Sequence, residues 1–96
     1  MQTFDSVRKI LEQMKPVFVS KYHISSMGLF GSIVRNDFTN DSDIDVIVEF
    51  SKPVGIEFID LANELEVILE RKVDLVSKKG IKPNYLSDIE AEIVYV

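Results

Sequence analysis

Asp43 and Asp45 stand one residue apart at the entry to an apolar run, Asp43-Ile44-Asp45-Val46-Ile47-Val48. Ser32, eleven residues before Asp43, closes a Gly31-Ser32 turn at the end of another apolar stretch. Side chains on a strand alternate between its two faces. Asp43 and Asp45 therefore project to one side, while Ile44 and Val46 project to the other, toward a core. Two carboxylates at the mouth of a buried strand repel each other and lose solvation, which is tolerable mainly where a cation lies between them. Hard oxygen ligands suit magnesium or manganese, which keep part of their water shell and take further ligands from substrate phosphates. The Gly31-Ser32 turn supplies close backbone approach, N–H groups and a hydroxyl for a phosphate. The chemistry these residue types point to is a metal-dependent nucleotide site.

A third carboxylate fits the same site. Asp74 lies between Val73 and Leu75 in an otherwise apolar strand, where a charge is costly without a partner. If that strand lies beside the one carrying Asp45, Asp74 joins Asp43 and Asp45 around one cation site suited to two-metal phosphoryl transfer. Asp43 and Asp45 would bridge the metals and hold a triphosphate. Asp74 would complete the metal that activates the attacking hydroxyl, and could accept its proton. Each residue also has a plainer reading. The aspartate pair could be solvated residues at a strand start, and Asp74 could pair with Lys72 two positions away. Ser32 could cap a helix after the turn. Arg35 could form a surface ion pair with Asp37 or Asp41, or reach the triphosphate. Asp37 reads as a loop-shaping acceptor, and His23 as structural or exposed.

These residues need elements to hold them. Val7, Ile10, Leu11 and Met14 form an i, i+3, i+4, i+7 stripe, which predicts an amphipathic helix from about Phe4 to Met14. Pro16 should end or restart it, with a short helical piece over Val17 to Tyr22. Strands are expected at Ile24 to Phe30, Asp43 to Phe50 and Lys72 to Ser77, the second central and buried on both faces through Val46-Ile47-Val48. Between the first two lies a polar, turn-rich loop, residues 35–42. A strong helix is expected from about Ile56 to Arg71. Its buried face would be Phe58, Leu61, Ala62, Leu65, Ile68 and Leu69, with Glu57, Glu64, Glu66 and Glu70 mostly outward. Ile81, Tyr85, Ile89 and Ile93 recur every fourth residue, so a last helix from about Pro83 to Ile93 follows, with a terminal strand at Val94 to Val96. Tyr85 and Tyr95 read as core. The alternation of helices and strands predicts an α/β (α+β) domain with a small sheet.

Composition narrows the function classes. Ninety-six residues with 46% hydrophobic and 28% charged side chains make one ordinary globular domain, residues 1–96, with no room for a second lobe. No apolar run of membrane-spanning length occurs, and the N-terminus lacks the basic and apolar regions of a signal peptide. The chain has no cysteine, hence no disulfide framework and no thiolate metal site, which is compatible with the expected cytoplasmic location. A net charge of −5 argues against a broad nucleic-acid interface, yet permits one nucleotide whose metal reverses the local sign.

The set Gly31-Ser32, Asp43-Ile44-Asp45 and Asp74 resembles the nucleotidyltransferase superfamily that shares the DNA polymerase β catalytic fold, a small mixed sheet flanked by helices. The nearer resemblance is to the minimal nucleotidyltransferase (MNT) group. It rests on Phe30-Gly31-Ser32-Ile33-Val34-Arg35-Asn36-Asp37, Ser42-Asp43-Ile44-Asp45 and Arg71-Lys72-Val73-Asp74-Leu75-Val76. Two departures are visible: Asn36 follows Arg35, and Glu70 precedes the third strand, at positions where the group commonly has Gly. Both touch loop geometry and leave the triad intact. The resemblance implies transfer of AMP from ATP to a hydroxyl with magnesium or manganese. Asp43, Asp45 and Asp74 would be metal-binding and catalytic, and Gly31, Ser32 and Arg35 would hold the nucleotide phosphates. It further implies an antitoxin whose partner is a helical HEPN-domain ribonuclease and whose acceptor is a tyrosine of that toxin. Two other readings stand beside it: an antitoxin that blocks its partner by contact alone, and transfer to a small molecule.

Overall fold

The computed structural model describes residues 3–96. The chain runs α1 (Phe4–Tyr22), β1 (Ile24–Phe30), α2 (Ser32–Arg35), β2 (Ile44–Phe50), α3 (Ile56–Leu69), β3 (Val73–Ser77), a 3₁₀ turn (Lys78–Gly80), α4 (Pro83–Glu90) and β4 (Val94–Tyr95). The strands form one mixed sheet in the order β3-β2-β1-β4. β2 and β3 are parallel, joined through α3, and β1 is antiparallel to both of its neighbours.

α1 starts with a capping box: Ser6 N–H donates to Thr3 Oγ1 at 3.1 Å and Thr3 N–H to Ser6 Oγ at 2.9 Å, which satisfies two otherwise orphaned donors. It then runs unbroken through Pro16, against the expected stop. The ring removes the N–H that would have bonded the Glu12 carbonyl. Glu12 and Pro16 are both exposed, so water can serve that carbonyl, and the apolar stripe continues to Phe18 and Tyr22. The helix closes at His23, whose left-handed backbone (φ 59°) lets its N–H reach the Val19 carbonyl at 3.1 Å.

Strand alternation sorts the core into two faces. Met27, Leu29, Ile44, Val46, Val48 and Leu75 join Val7, Leu11 and Phe18 of α1 and Leu61, Leu65 and Leu69 of α3 in the main core. Phe30, Ile47 and Ile89, with Val76, Ile81, Leu86 and Ile93, form a thinner layer on the other face. β2 is thus buried on both sides, as its apolar run predicts. Side chains of the Leu61, Leu65 and Leu69 kind are each worth about 2–5 kcal/mol against truncation to alanine.

Several expectations are corrected by this packing. The α3 glutamates are not simply solvated: Glu64 accepts from Tyr22 Oη at 2.7 Å and Lys21 Nζ at 2.8 Å, tying α1 to α3, and Glu66 accepts the Val73 N–H at 2.9 Å. The outward face of α3 instead carries exposed Ile56, Ile59 and Val67, and Tyr85 and Tyr95 are half exposed. The four-residue repeat behind the core reading of Tyr85 begins before α4 and ends beyond it, because α4 stops at Glu90. Only its ends and Ile89 therefore turn inward.

Candidate active site

Asp45 is set by the sheet. In β2 it pairs with Phe30 of β1 on one side and with Asp74 of β3 on the other. Ile44 and Val46, its neighbours in sequence, are fully buried in the main core. That packing fixes the backbone and leaves Asp45 on the thinner face. Asp74 is placed in the same way by Val73 and Leu75, so the two carboxylates stand side by side on parallel strands. Asp43 lies one residue ahead of β2 and is exposed, as is Asp74, whereas Asp45 is half-buried. Burial pushes the Asp45 carboxyl up to about 6, helped by the negative charges of Asp74, Asp43 and Glu92 and opposed by Arg35.

Gly31 follows Phe30 and adopts φ 80°, ψ −151°, a region that side-chain-bearing residues avoid. A Cβ there would lie 2.9 Å from Asp45 Cγ and overlap its carboxylate. Gly31 is therefore required twice, by the backbone angle and by the closeness of Asp45. It caps α2, and Ser32 is the first helical residue with no side-chain cap bond, so the capping reading of Ser32 does not hold. The first N–H groups of a helix lack intrahelical acceptors.

Arg35 pairs with Asp37 (Nε–Oδ2 3.6 Å) and with Glu92 (Nη1–Oε1 3.2 Å). Among the described residues no ion pair joins Asp43, Asp45 or Asp74 to a cationic side chain, so the Lys72 reading of Asp74 fails. Arg71 is spent elsewhere. Its guanidinium donates from Nε to the Ser42 carbonyl at 3.1 Å and from Nη2 to the Thr39 carbonyl, and lies 4.5 Å over the Phe38 ring. It thereby pins the loop that delivers Asp43.

Asp45 and Asp74 side by side, with Asp43 one residue ahead of β2, fit a divalent cation by donor chemistry. As oriented here, no three acidic or histidine side chains among the described residues come together as a group that could hold a metal ion. Asp43 and Asp74 are exposed, and magnesium commonly takes only one or two carboxylates with water and phosphate completing its shell. A cleft of about 300 Å³ lined by Phe50, Lys52, Pro53, Val54, Phe58, Ser77 and Lys79 opens at the far end of β2 and is separate from this site.

The profile of the nucleotidyltransferase domain matches residues 5–96. The chain belongs to the nucleotidyltransferase domain family. A candidate protein adenylyltransferase of Methanocaldococcus jannaschii is 40% identical with both chains fully covered. The protein adenylyltransferase MntA of Thermococcus cleftensis is 35% identical over 100% of this chain and 98% of its own. Among solved structures, a candidate minimal nucleotidyltransferase superposes with a TM-score of 0.83 at 24% identity, covering 97% of this chain and 95% of the other. A chain from the complex of a tri-AMPylated Shewanella oneidensis HEPN toxin with its MNT antitoxin superposes with a TM-score of 0.65 at 21% identity, covering 93% and 66%. The structural likenesses show the fold. This nucleotidyltransferase has Asp45 and Asp74 paired on adjoining strands, Asp43 one residue ahead of β2, and Gly31 directly against Asp45. Sequence reading missed Glu92 and the loop-pinning role of Arg71. Arg71 had a signal in its place just before β3, whereas Glu92 had none within its own stretch of chain. No helix among the described residues is long and apolar enough to cross a membrane.

Proposed function

We propose that this nucleotidyltransferase moves AMP from ATP onto a tyrosine hydroxyl of a HEPN-domain toxin and so acts as its antitoxin. The observation that carries the reading is the direct pairing of Asp45 with Asp74, with Asp43 one residue ahead of β2. This is a carboxylate row open to the thinner face of the sheet. A magnesium or manganese ion held by Asp43, Asp45 and Asp74 would supply charge neutralisation for the triphosphate and for the attacking oxygen. Gly31, lacking a side chain, lets phosphate approach the backbone, and Ser32 and Arg35 offer further donors. Asp74, exposed beside Asp45, would accept the proton of the incoming hydroxyl. The hydroxyl oxygen bonds to the α-phosphorus as the bond to the β-phosphate breaks, and pyrophosphate leaves. The names borne by the relatives support AMP as the transferred group and a protein as the acceptor.

The test is incubation with α-labelled ATP and magnesium, with and without the HEPN-type partner, beside an Asp43→Ala/Asp45→Ala control. Label on the partner that disappears in the control is the expected result. A partner bound and inhibited but unlabelled would replace catalysis with inhibition by contact, and a labelled metabolite with no partner present would replace the protein acceptor.

A further inference from the structure

Gly28 pairs with Tyr95 and Leu29 with Val94 across the antiparallel β1–β4 ladder. Continued by two residues, that register sets Glu92 opposite Gly31. The Glu92 carboxylate indeed lies on the turn. Its Oε1 accepts the Gly31 N–H at 3.0 Å and Arg35 Nη1 at 3.2 Å, and Oε2 lies 3.5 Å from the same nitrogen. The Glu92 side chain is only 25% exposed. A fourth carboxylate has thus been brought to a site that already holds three.

Resting on the phosphate-binding reading of Gly31 and Arg35, we infer that Glu92 is an internal anion that occupies the phosphate-binding donors and must withdraw when nucleotide binds. The Gly31 N–H and the Arg35 guanidinium are the donors that a triphosphate would need; the single Gly31 hydrogen is already given to Glu92, and the Glu92 charge on Arg35 Nη1 repels a phosphate approaching the same guanidinium. The geometry lets Glu92 leave cheaply. It sits in the turn between α4 and β4, while the segment after it stays anchored by Val96 N–H to the Met27 carbonyl at 2.9 Å and by Lys15 Nζ to the Val96 carbonyl at 2.6 Å. A change of side-chain rotamer frees the turn without unpairing the strand. Glu92 is accordingly a residue that sets nucleotide affinity, and does not touch the reacting atoms.

When a binding-competent state is populated only in part, apparent affinity falls by that fraction. Removing the Glu92 charge therefore tightens binding. With magnesium present, titration calorimetry of the full chain with pyrophosphate and with ATP is expected to give dissociation constants roughly three- to tenfold lower for Glu92→Gln and Glu92→Ala than for the native protein. In the labelling reaction the gain is expected in KM and not in kcat. A residue that merely braces the turn would give the opposite, weaker binding in both variants, and that result overturns the inference. Unchanged constants in both variants, with binding still abolished by Asp45→Asn, overturn the role of Glu92 and leave the active-site reading standing. Absence of pyrophosphate and ATP binding in native and variant proteins that melt normally overturns the phosphate reading and the inference together.

Discussion

Replacing Gly31 by alanine should damage the fold and the site by two separable routes. At φ 80°, ψ −151° the backbone lies in a region nearly confined to glycine, and holding an alanine there costs about 1–3 kcal/mol. The new methyl would also overlap the Asp45 carboxylate, an overpacking cost of about another 1–3 kcal/mol unless Asp45 swings away. The sum, about 2–6 kcal/mol, corresponds to a fall in Tm of at least roughly 8 °C, and of up to roughly 45 °C, for a domain of this size. The pair Gly31→Ala and Gly31→Ala/Asp45→Ala separates the two routes in thermal melts followed by circular dichroism. Shortening Asp45 removes the overlap, so the double variant should recover the packing part and retain the backbone part. Labelling activity should be lost in both, since Asp45 is displaced in one and absent in the other. A Gly31→Ala protein melting within about 3 °C of native would refute the reasoning, because it would mean that neither the strain nor the overlap exists.

Three more outcomes follow from particular contacts. Asp45 titrates at about 6 in the fold against an ordinary 3.8, chiefly through burial. Its stabilising contribution is therefore present below about pH 4 and lost as the pH rises through 6, so Asp45→Asn should melt higher than native at pH 7.5 and equal to it near pH 4. Equal melting temperatures at pH 7.5 in the absence of metal would contradict the placement of that carboxylate. Pro16→Ala restores a backbone bond on the exposed side of α1 and should raise stability by about 1–3 kcal/mol in urea unfolding; a lower urea midpoint would show that the ring is needed. Arg71→Ala releases the Thr39 and Ser42 carbonyls and the Phe38 ring. It should cost about 1–3 kcal/mol and lower labelling activity although all three aspartates remain; unaltered activity would show that Asp43 needs no fixed loop.

What was legible in the chain was whatever depends on neighbours in sequence. The placing of Asp45 and Asp74 on one face follows from strand alternation, with Ile44, Val46, Val73 and Leu75 supplying the contrast. The limits of β1 and the core leucines of α3 follow from the same kind of periodicity. Glu92 was not legible. Its position opposite Gly31 depends on β4 pairing across the sheet with β1, and nothing in the tail around it marks that partner. Pro16 does not stop α1 because Glu12 and Pro16 both lie on its exposed side, a tertiary fact that a local rule for proline does not contain. Tyr85 misled because a four-residue repeat signals burial only within one helix, and its first and last members lie outside α4.

The two faces of the sheet divide the labour, and this division explains why carboxylates survive inside so small a domain. On one face α1 and α3 cover the strands completely, and Ile44, Val46 and Leu75 lock the backbone on either side of the acidic residues. On the other face α4 covers Phe30, Ile47 and Val76 but leaves the beginnings of β2 and β3 open, so Asp43 and Asp74 keep their water while Asp45 gives up part of its own. Burying all three would leave unpaired charges in the core at a cost of several kcal/mol each; exposing all three would leave none held in place. The parallel pairing of β2 with β3 satisfies both demands, because it puts the half-buried carboxylate of Asp45 beside the exposed one of Asp74. A core variant that shifts β3 by even a fraction of a residue, without touching an aspartate, is for that reason expected to disturb the site before it unfolds the chain.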